Sequence, residues 1–242
     1  PGEFRAVSHQ IADLVYEKIL GVRGAFFTRI AYITQKRLAD GKYENAIWIA
    51  DSDGFNPQRI VWNNEPFLSP AWSPDGTQIA YASNGIYVVN ADGTGAHKVS
   101  PGPPAAMDLS VYPTWSPDGS RIAFLSGSGD VAIVKVTGAG AHGISPAVAY
   151  RPAWSPDGSR LAFQVVASPG IYVVNTDGTG YGVLVDPGGT LGDPTWSPDA
   201  SQLVFTVYDG GPELLYRINV NGTGYSQVTA GAGMDILSNW GR

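Results

Sequence analysis

Short runs of apolar residues, many of them β-branched or aromatic, recur along this chain and are bounded by Gly, Pro, Asn and Asp. Such runs are typical of β-strands. Residues 79–82 and 86–89 form one pair of runs, and the Asn84-Gly85 dipeptide between them favours a type I′ hairpin. We therefore predict a chain of short antiparallel strands joined by tight turns.

A seven-residue phrase, Pro-Ala-Trp-Ser-Pro-Asp-Gly or a close variant, precedes four of the pairs of strands. It occupies residues 70–76, 113–119, 152–158 and 194–200, and a remnant containing Trp240 lies near the end of the chain. Its second Pro and its Gly suit a type I turn. A spacing of roughly 40–45 residues is the period of a four-stranded propeller blade. Because one such sheet cannot bury both faces alone, the blades are expected to stack in a ring.

The pattern predicts an all-β fold, a five-bladed β-propeller of four-stranded antiparallel blades with one short N-terminal α-helix. The strands of each blade are named a, b, c and d in chain order. The first repeat has no strand a, whereas the segment around Trp240 is a strand a with nothing after it. We expect these halves to complete one blade and to leave no open edge. The predicted blades are residues 29–62 closed by 236–242, 69–100, 112–145, 151–185 and 193–230.

Residues 8–20 break the β pattern and predict a helix within an N-terminal segment, residues 1–28, that precedes the propeller, residues 29–242. Ser8 suits the N-cap of this helix, and Gly21 suits its C-terminal end. Apolar residues recur on one helical face at Ile11, Leu14, Val15 and Ile19. Since a lone short helix is marginal in water, we expect Ile11, Val15 and Ile19 to be buried. Their partner is the propeller rim that carries the a–b turns, a domain missing from this chain, or another chain.

Composition narrows the classes of function. The chain has 242 residues, a hydrophobic content of 43% and a formal net charge of −6 at pH 7. This acidic balance argues against a nucleic-acid partner, which requires a basic surface. No apolar run is long enough to span a membrane, and the absence of Cys excludes disulfides and thiolate metal sites. The chain begins at Pro1 without Met or a signal sequence, as a mature or trimmed protein does.

Catalytic and metal-binding candidates are few. We interpret the Asp of each Ser-Pro-Asp-Gly turn as a cap of its own turn, rather than as part of a carboxylate ring. The Asp-containing c–d turns lack the ligand spacing of a calcium loop, so no metal site is predicted. Residues 138–143 match a dinucleotide-binding fingerprint in letters, but no helix follows them. We therefore expect no catalytic residue and no cofactor.

The predicted loops divide between two opposite rims. The a–b and c–d turns share one rim and are nearly identical from blade to blade, whereas the b–c and d–a loops share the other rim and vary. We call the latter the variable rim, comprising residues 63–69, 101–112, 146–151, 187–193, 209–212 and 231–237. Variable loops on a repeating scaffold usually carry recognition, so a protein partner is expected there. The alternative is that these loops only connect the blades.

The N-terminal third of the chain closely resembles the TolB family of the Tol–Pal envelope system. The resemblance is carried by residues 4–6, 13–18, 24–33, 51–56 and 69–76. It implies a periplasmic, non-enzymatic scaffold in cell-envelope maintenance whose partner is similar to the peptidoglycan-associated lipoprotein. The chain departs from the family in two respects. It has five predicted blades where the family has six, and only the last helix of the family's N-terminal α/β domain is present.

In the TolB family, contacts with the lipoprotein cluster just before the Pro-x-Trp phrase. The resemblance therefore implies a partner-binding site at Leu68, Ser69, Val111, Tyr112, Tyr150, Arg151, Gly192 and Asp193. Tyr150 and Arg151 suit this role, because Tyr and Arg are enriched at binding hot spots. We expect a monomer, with a dimer through the N-terminal helix as the alternative.

Two other interpretations of the chain remain open. The first is an engineered or truncated propeller without a native function. The second is a five-bladed glycosidase, in which two loop carboxylates about 5–10 Å apart would cleave a glycosidic bond. Loop position provides the candidate acids for that reaction: Asp108, Asp193, Asp209, Glu213 and Asp235.

Overall fold

The computed structural model describes residues 2–20, 28–100, 112–146, 148–165 and 168–229. In these ranges a helix, α1 (Gly2–Leu20), precedes strands that form five antiparallel sheets. The first sheet contains β1 (Arg29–Arg37), β2 (Tyr43–Asp51) and β3 (Gln58–Asn63). The second contains β4 (Leu68–Trp72), β5 (Gln78–Ala82), β6 (Ile86–Asn90) and β7 (His97–Lys98).

The third sheet contains β8 (Thr114–Trp115), β9 (Arg121–Leu125), β10 (Val131–Lys135) and β11 (His142–Gly143). The fourth contains β12 (Ala149–Trp154), β13 (Arg160–Val165), β14 (Ile171–Asn175) and β15 (Gly182–Val185). The fifth contains β16 (Thr190–Trp196), β17 (Gln202–Tyr208), β18 (Leu214–Asn219) and β19 (Ser226–Gln227).

Each sheet is a meander in which strands adjacent in the chain are hydrogen-bonded to one another. Strand a of one blade lies beside strand a of the next in the order β4, β8, β12 and β16. The predicted all-β propeller is therefore confirmed, and the described residues contain five blades. Blade 1 has three strands in the described residues. The strand predicted around Trp240 to complete it lies outside them.

The hydrophobic core is divided among the junctions between successive blades. Four clusters within the described residues each join side chains of two adjacent blades. The second residue of strand b is fully buried in four blades, as Ile79, Ile122, Leu161 and Leu203. Burying one such side chain contributes about 1.5–3 kcal/mol. The core therefore stabilises the ring as a whole rather than any single blade.

Tryptophan and arginine connect neighbouring blades in a repeated arrangement. The Nε1 of Trp154 donates to the Thr114 carbonyl of the preceding blade at 3.0 Å, and Trp115 and Trp196 make equivalent bonds to Ala71 and Ala153. Arg121, at the start of strand b, lies over the Trp154 ring at 4.9 Å and donates to the Gly158 carbonyl at 3.0 Å. Two more arginines repeat this stacking on the next blade: Arg29 on Trp72 and Arg160 on Trp196.

The Ser-Pro-Asp-Gly turns are closed by their own side chains. In blade 3 the Ser116 hydroxyl donates to the Asp118 carboxylate at 2.5 Å and accepts the backbone N–H of Arg121 at 2.9 Å. The backbone N–H of Ser120 also donates to Asp118, at 3.0 Å. The same contacts recur in the other complete turns, around Asp75, Asp157 and Asp199. The interpretation of these Asp residues as turn caps is therefore confirmed.

The Asp side chains that cap these turns are expected to make the free energy of unfolding depend on pH in the acid range. The hydrogen bond from Ser116 lowers the pKa of Asp118 to about 2, and Ser197 does the same for Asp199. An Asp in an unfolded chain has a pKa of about 3.9, so this contribution is present above about pH 4 and is lost as the pH falls toward 2. Denaturant unfolding between these pH values should show a smaller loss of stability for Asp118→Asn than for the parent. An identical pH dependence would contradict a role for the Asp118 charge.

Helix α1 begins earlier than predicted and is not packed by its apolar face. Ser8 lies inside the helix and donates to the Phe4 carbonyl at 2.8 Å, so its assignment as the N-cap is wrong. Ile11, Val15 and Ile19 are 54%, 50% and 73% exposed, so their predicted burial is wrong for the single chain. A Ser inside a helix can donate its hydroxyl to a carbonyl of the preceding turn, so a Ser alone is weak evidence for the start of a helix.

Polar contacts place α1 on the rim of the c–d turns. Arg5 forms an ion pair with Asp53 and lies over the Phe55 ring at 4.4 Å, and His9 Nε2 is 3.9 Å from the same carboxylate. Asp53 belongs to the turn between β2 and β3, which is on the rim where the helix was expected. In the described part of the chain, α1 does not combine the length and hydrophobicity that a membrane-spanning helix needs.

Candidate functional site

The residue before the Pro-x-Trp phrase has an unusual backbone conformation. Ser69, Arg151 and Asp193 have φ values of 49°, 50° and 53°, in the left-handed region. At the same point strand a loses register with strand b in blades 2, 4 and 5, which is typical of a β-bulge. A non-glycine residue in this region costs about 1–3 kcal/mol and is enriched at functional sites. Three blades therefore hold the same strained bend at their inner strand.

Arg151 connects the equivalent positions of three successive blades. Its guanidinium lies over the Tyr112 ring of blade 3, 5.1 Å from the centroid. Its Nη1 donates to a carboxylate oxygen of Asp193 in blade 5, forming an ion pair. We call Tyr112, Arg151 and Asp193 the rim row. The structure thus brings together three of the predicted site residues, from three different repeats.

The rim row is accessible and only moderately stabilised from within. The Arg151 side chain is 43% exposed, and that of Asp193 is 20% exposed. An exposed ion pair is worth about 0–1 kcal/mol, and an exposed cation–π contact about 0.5–1 kcal/mol. Arg151 also has more N–H donors than the described contacts use. A partner group can therefore bind to this guanidinium, or replace Asp193 on it, at small cost.

The other predicted site residues contribute differently. Leu68 and Tyr150 are half-buried and pack against the cores between blades 2 and 3 and between blades 3 and 4. Ser69 and Gly192 are also half-buried, at the bends of β4 and β16. Val111 lies outside the described residues. The accessible polar and aromatic part of the predicted site is therefore the rim row with Ser69.

The bend positions lie on the rim that the loop pattern predicts to be variable. Tyr150 pairs with Gln164 near the end of strand b, so the start of strand a is beside the b–c loop. On the opposite rim the turn carboxylates are satisfied locally, because Thr94 and Thr179 donate to Asp92 and Asp177 at 2.6 Å. These hydroxyl bonds lower the pKa of both Asp residues. The repeated rim therefore serves its own turns.

No metal-binding cluster is evident in the described part of the chain. Within it no three His, Asp or Glu side chains are grouped as metal ligands would be. Of the acids considered for a glycosidase, Asp193 is paired with Arg151. Asp209 and Glu213 lie in the b–c loop of blade 5, and Asp108 and Asp235 are outside the described residues.

The comparisons with known proteins agree with this architecture. The family model described as the TolB beta propeller domain matches residues 16–85 and 84–241. The N-terminal third is similar to Tol-Pal system protein TolB of Xanthomonas campestris pv. campestris (strain B100) and of Xylella fastidiosa (strain M12), at 60% identity over 79 residues in each case. Each match covers 33% of this chain and 18% of the relative, so the shared segment is a minor part of those proteins.

Solved structures extend the likeness over the propeller. The crystal structure of TolB from Acinetobacter baumannii aligns with a TM-score of 0.68 and 23% identity, covering 93% of this chain and 58% of that one. An oligogalacturonate lyase in complex with manganese aligns with a TM-score of 0.64 and 19% identity, covering 79% of this chain and 62% of that one. At such identities both alignments show the fold alone. Because the family model spans most of its length, the chain belongs to the TolB β-propeller domain family.

Proposed function

We propose that this chain is a non-enzymatic, protein-binding scaffold of a Tol–Pal-type cell-envelope system, and that it acts in the periplasm. The support is its membership of the TolB propeller family and its similarity to relatives named Tol-Pal system protein TolB. Its partner is a protein similar to the peptidoglycan-associated lipoprotein. The partner binds the variable rim through the rim row and Ser69.

The observation that carries this proposal is the bridging position of Arg151. Across three adjacent blades the row presents an aromatic ring, a cation and an acid in mutual contact. Tyr and Arg are enriched among the residues that dominate binding energy, and paired charges favour a partner of complementary pattern. The equivalent turns of the opposite rim carry nearly the same residues in each blade, so they have little capacity to discriminate between partners.

The bent backbone supports the same surface. Because the positive φ at Arg151 and Asp193 is imposed by the fold, the two side chains are oriented before a partner arrives. A pre-oriented surface loses less conformational entropy on binding than a flexible loop does. The rim row therefore combines accessible charge with a fixed geometry, which is the combination expected of a recognition site.

The enzyme interpretation has less support. A glycosidase needs a protonated acid and a second carboxylate about 5–10 Å apart. Asp193, one of the candidate acids, is paired with Arg151. The similarity to oligogalacturonate lyase is a similarity of fold. We therefore place the function in protein binding.

The test is calorimetric titration with the purified domain of a peptidoglycan-associated lipoprotein. Arg151→Ala is expected to weaken binding by about 2 kcal/mol, roughly 30-fold, as expected for a central hot spot. Arg151→Lys should show an intermediate loss, because the lysine keeps the charge and loses the planar fork. Thermal unfolding of each variant should remain close to that of the parent, since the internal contacts of Arg151 are weak.

Arg59 provides a matched control. It lies over the Trp62 ring at 4.4 Å and pairs with Glu44 at 3.4 Å, so Arg59→Ala removes the same two kinds of contact away from the rim row. This variant is expected to bind like the parent. Equal losses for Arg59→Ala and Arg151→Ala would refute the assignment of the site. Absence of binding by the parent would refute the proposed partner.

A further inference from the structure

Blade 3 contains a cavity lined by residues that differ from those at the equivalent positions of blades 4 and 5. The cavity has a volume of about 450 Å³ and opens beside β9, β10 and β11. Its lining includes Phe124, Asp130, Ala132, Ala141, His142 and Gly143. Sites for small molecules commonly have volumes of about 300–1,000 Å³, so the space is sufficient for a small ligand. The origin of the cavity is visible when the blades are aligned by strand register.

Aromatic rings fill the equivalent space in blades 4 and 5. In blade 4 the Tyr181 ring is 5.3 Å from Tyr172 and 6.3 Å from Phe163. Blade 5 repeats this stack with Phe205, Tyr216 and Tyr225.

Blade 3 keeps only the base of that stack. Ala132 pairs with Phe124 as Tyr172 pairs with Phe163, so Ala132 stands at the first tyrosine position. Ala141 stands at the position of Tyr181, immediately before the residue that pairs with strand c. Phe124 is 5% exposed, whereas Phe163 and Phe205 are fully buried, because it lacks the two rings that cover its equivalents and the cavity occupies their place.

Blades 2 and 3 also carry opposite charges beside the b–c turn, a lysine in blade 2 and an aspartate in blade 3. In blade 2, Lys98 extends over the b–c turn and donates from Nζ to the Asn84 carbonyl at 2.8 Å. Gly85 leaves room for it, because a Cβ at that position would lie 2.3 Å from the Lys98 Cε. In blade 3 the register places Gly143 at the lysine position and Asp130 at the position of Gly85.

The Asp130 carboxylate is oriented toward the space that the lysine fills in blade 2. A Cβ at Gly143 would lie 2.6 Å from the Asp130 Oδ2. The hydroxyls of Ser126 and Ser128 both donate to Oδ1 and hold the carboxylate in place. Among the described residues, Oδ2 has neither a hydrogen-bond donor nor a cationic partner. A half-buried anionic oxygen beside an apolar surface favours a cation that brings its own donors.

The His142 side chain lies on the other face of blade 3, because His142 pairs with Ile133 whereas Gly143 pairs with Ala132. The cavity thus offers the Phe124 ring on one side and the Asp130 Oδ2 on the other.

We propose that the cavity in blade 3 binds a small primary amine that carries an aromatic ring. The ring packs on Phe124 in the place that tyrosines occupy in blades 4 and 5, and the ammonium group pairs with the Asp130 Oδ2. The site is independent of the rim row, because none of its residues belongs to that row. This proposal therefore does not depend on the proposed lipoprotein partner.

The ligand requirement is tested by NMR titration of the whole chain with phenethylamine. We expect saturable shifts with a dissociation constant of about 1 mM or tighter, given the few atoms of the probe. Phenethyl alcohol lacks the charge and butylamine lacks the ring, so each should bind about tenfold more weakly. No saturable binding of phenethylamine, or equal affinity for all three probes, would overturn the proposal.

Two variants locate the site. Asp130→Asn keeps an acceptor for Ser126 and Ser128 and removes the charge, so phenethylamine should bind about tenfold more weakly while phenethyl alcohol is unaffected. Ala132→Tyr restores the ring found in blades 4 and 5 and should abolish binding without lowering the melting temperature. Retention of binding by a folded Ala132→Tyr variant would show that the probe binds elsewhere.

A third variant covers the case in which Ala132→Tyr does not fold. Exchanging the blade 3 pair for the blade 2 pair, with Asp130→Gly and Gly143→Lys together, places a lysine where Lys98 lies in blade 2. The chain already accommodates this arrangement once, so the variant is expected to fold. Loss of phenethylamine binding would support the proposed site, and unchanged binding would contradict it.

Discussion

Removing residues 234–242 is expected to lower the free energy of unfolding by roughly 4 kcal/mol, the scale of losing one core Trp. The described part of blade 1 has three strands, and the repeat assigns its missing strand a to the segment around Trp240. Without that segment the β1 edge of blade 1 would be exposed to solvent. For a chain of this size the melting temperature should fall by roughly 10 °C.

A single polar atom tests the closure more sharply. Trp115, Trp154 and Trp196 each donate from Nε1 to the preceding blade, whereas the buried Nε1 of Trp72 has no hydrogen-bond partner among the described residues. If strand a of blade 1 comes from the end of the chain, its backbone supplies the missing acceptor. Trp72→Phe should then cost about 1 kcal/mol in the full chain and nothing in the truncated one.

Trp115→Phe is the control for that cycle. Its acceptor, the Ala71 carbonyl, belongs to blade 2 and is retained in the truncated chain. The cost of Trp115→Phe should therefore be the same with and without residues 234–242, as measured by denaturant unfolding. A truncated chain as stable as the parent, or additive effects of Trp72→Phe and the truncation, would contradict ring closure through the C-terminal segment.

Replacing Trp154 by alanine is expected to lower the free energy of unfolding by about 3–5 kcal/mol, as for other buried aromatic residues. Its ring is 8% exposed and belongs to the core between blades 3 and 4. The substitution also removes the bond to the Thr114 carbonyl and the surface on which Arg121 stacks. Three kinds of contact across one junction are lost at once.

Two further variants separate the contributions of the hydrogen bond, the buried ring and the cation–π stacking to this loss of stability. Trp154→Phe keeps most of the buried ring and should lose about 1 kcal/mol for the hydrogen bond. Trp62→Ala serves as the control, because Trp62 is 53% exposed although Arg59 stacks on it as Arg121 does on Trp154. Its expected cost is about 0.5 kcal/mol or less. Comparable losses for Trp62→Ala and Trp154→Ala would show that stacking, rather than burial, dominates.

Local patterns predicted the elements of this fold because turn chemistry is local. The Ser, Pro, Asp and Gly of each phrase satisfy one another within a few residues, and the hydroxyl of Ser116 reaches both Asp118 and the start of strand b. The spacing of apolar residues predicts the helix correctly, but the predicted first residue is wrong. Ser8 bonds within the helix and does not cap it. Whether an apolar stripe is covered depends on the packing partner, and no short segment of sequence contains that information.

The candidate site shows the same division. Its positions follow from the phrase and from the family resemblance, since each lies at a fixed distance before a Pro-x-Trp. Their mutual contacts do not, because Arg151 and Asp193 are 42 positions apart in the chain. The cavity in blade 3 is harder to predict from the sequence than the rim row. It arises from side chains that are absent at Ala132 and Gly143, and their absence matters only where the neighbouring strands surround the same space.

The strand pattern and the turn types can be predicted from the sequence because they depend on residues within one blade, and their repetition predicts the propeller. The contacts between blades cannot be predicted in this way: Arg121 on Trp154, and Arg151 between Tyr112 and Asp193. The physical reason is that these contacts depend on how one blade is rotated and displaced against the next. That geometry is set by the packing of the whole ring, so no single repeat specifies it.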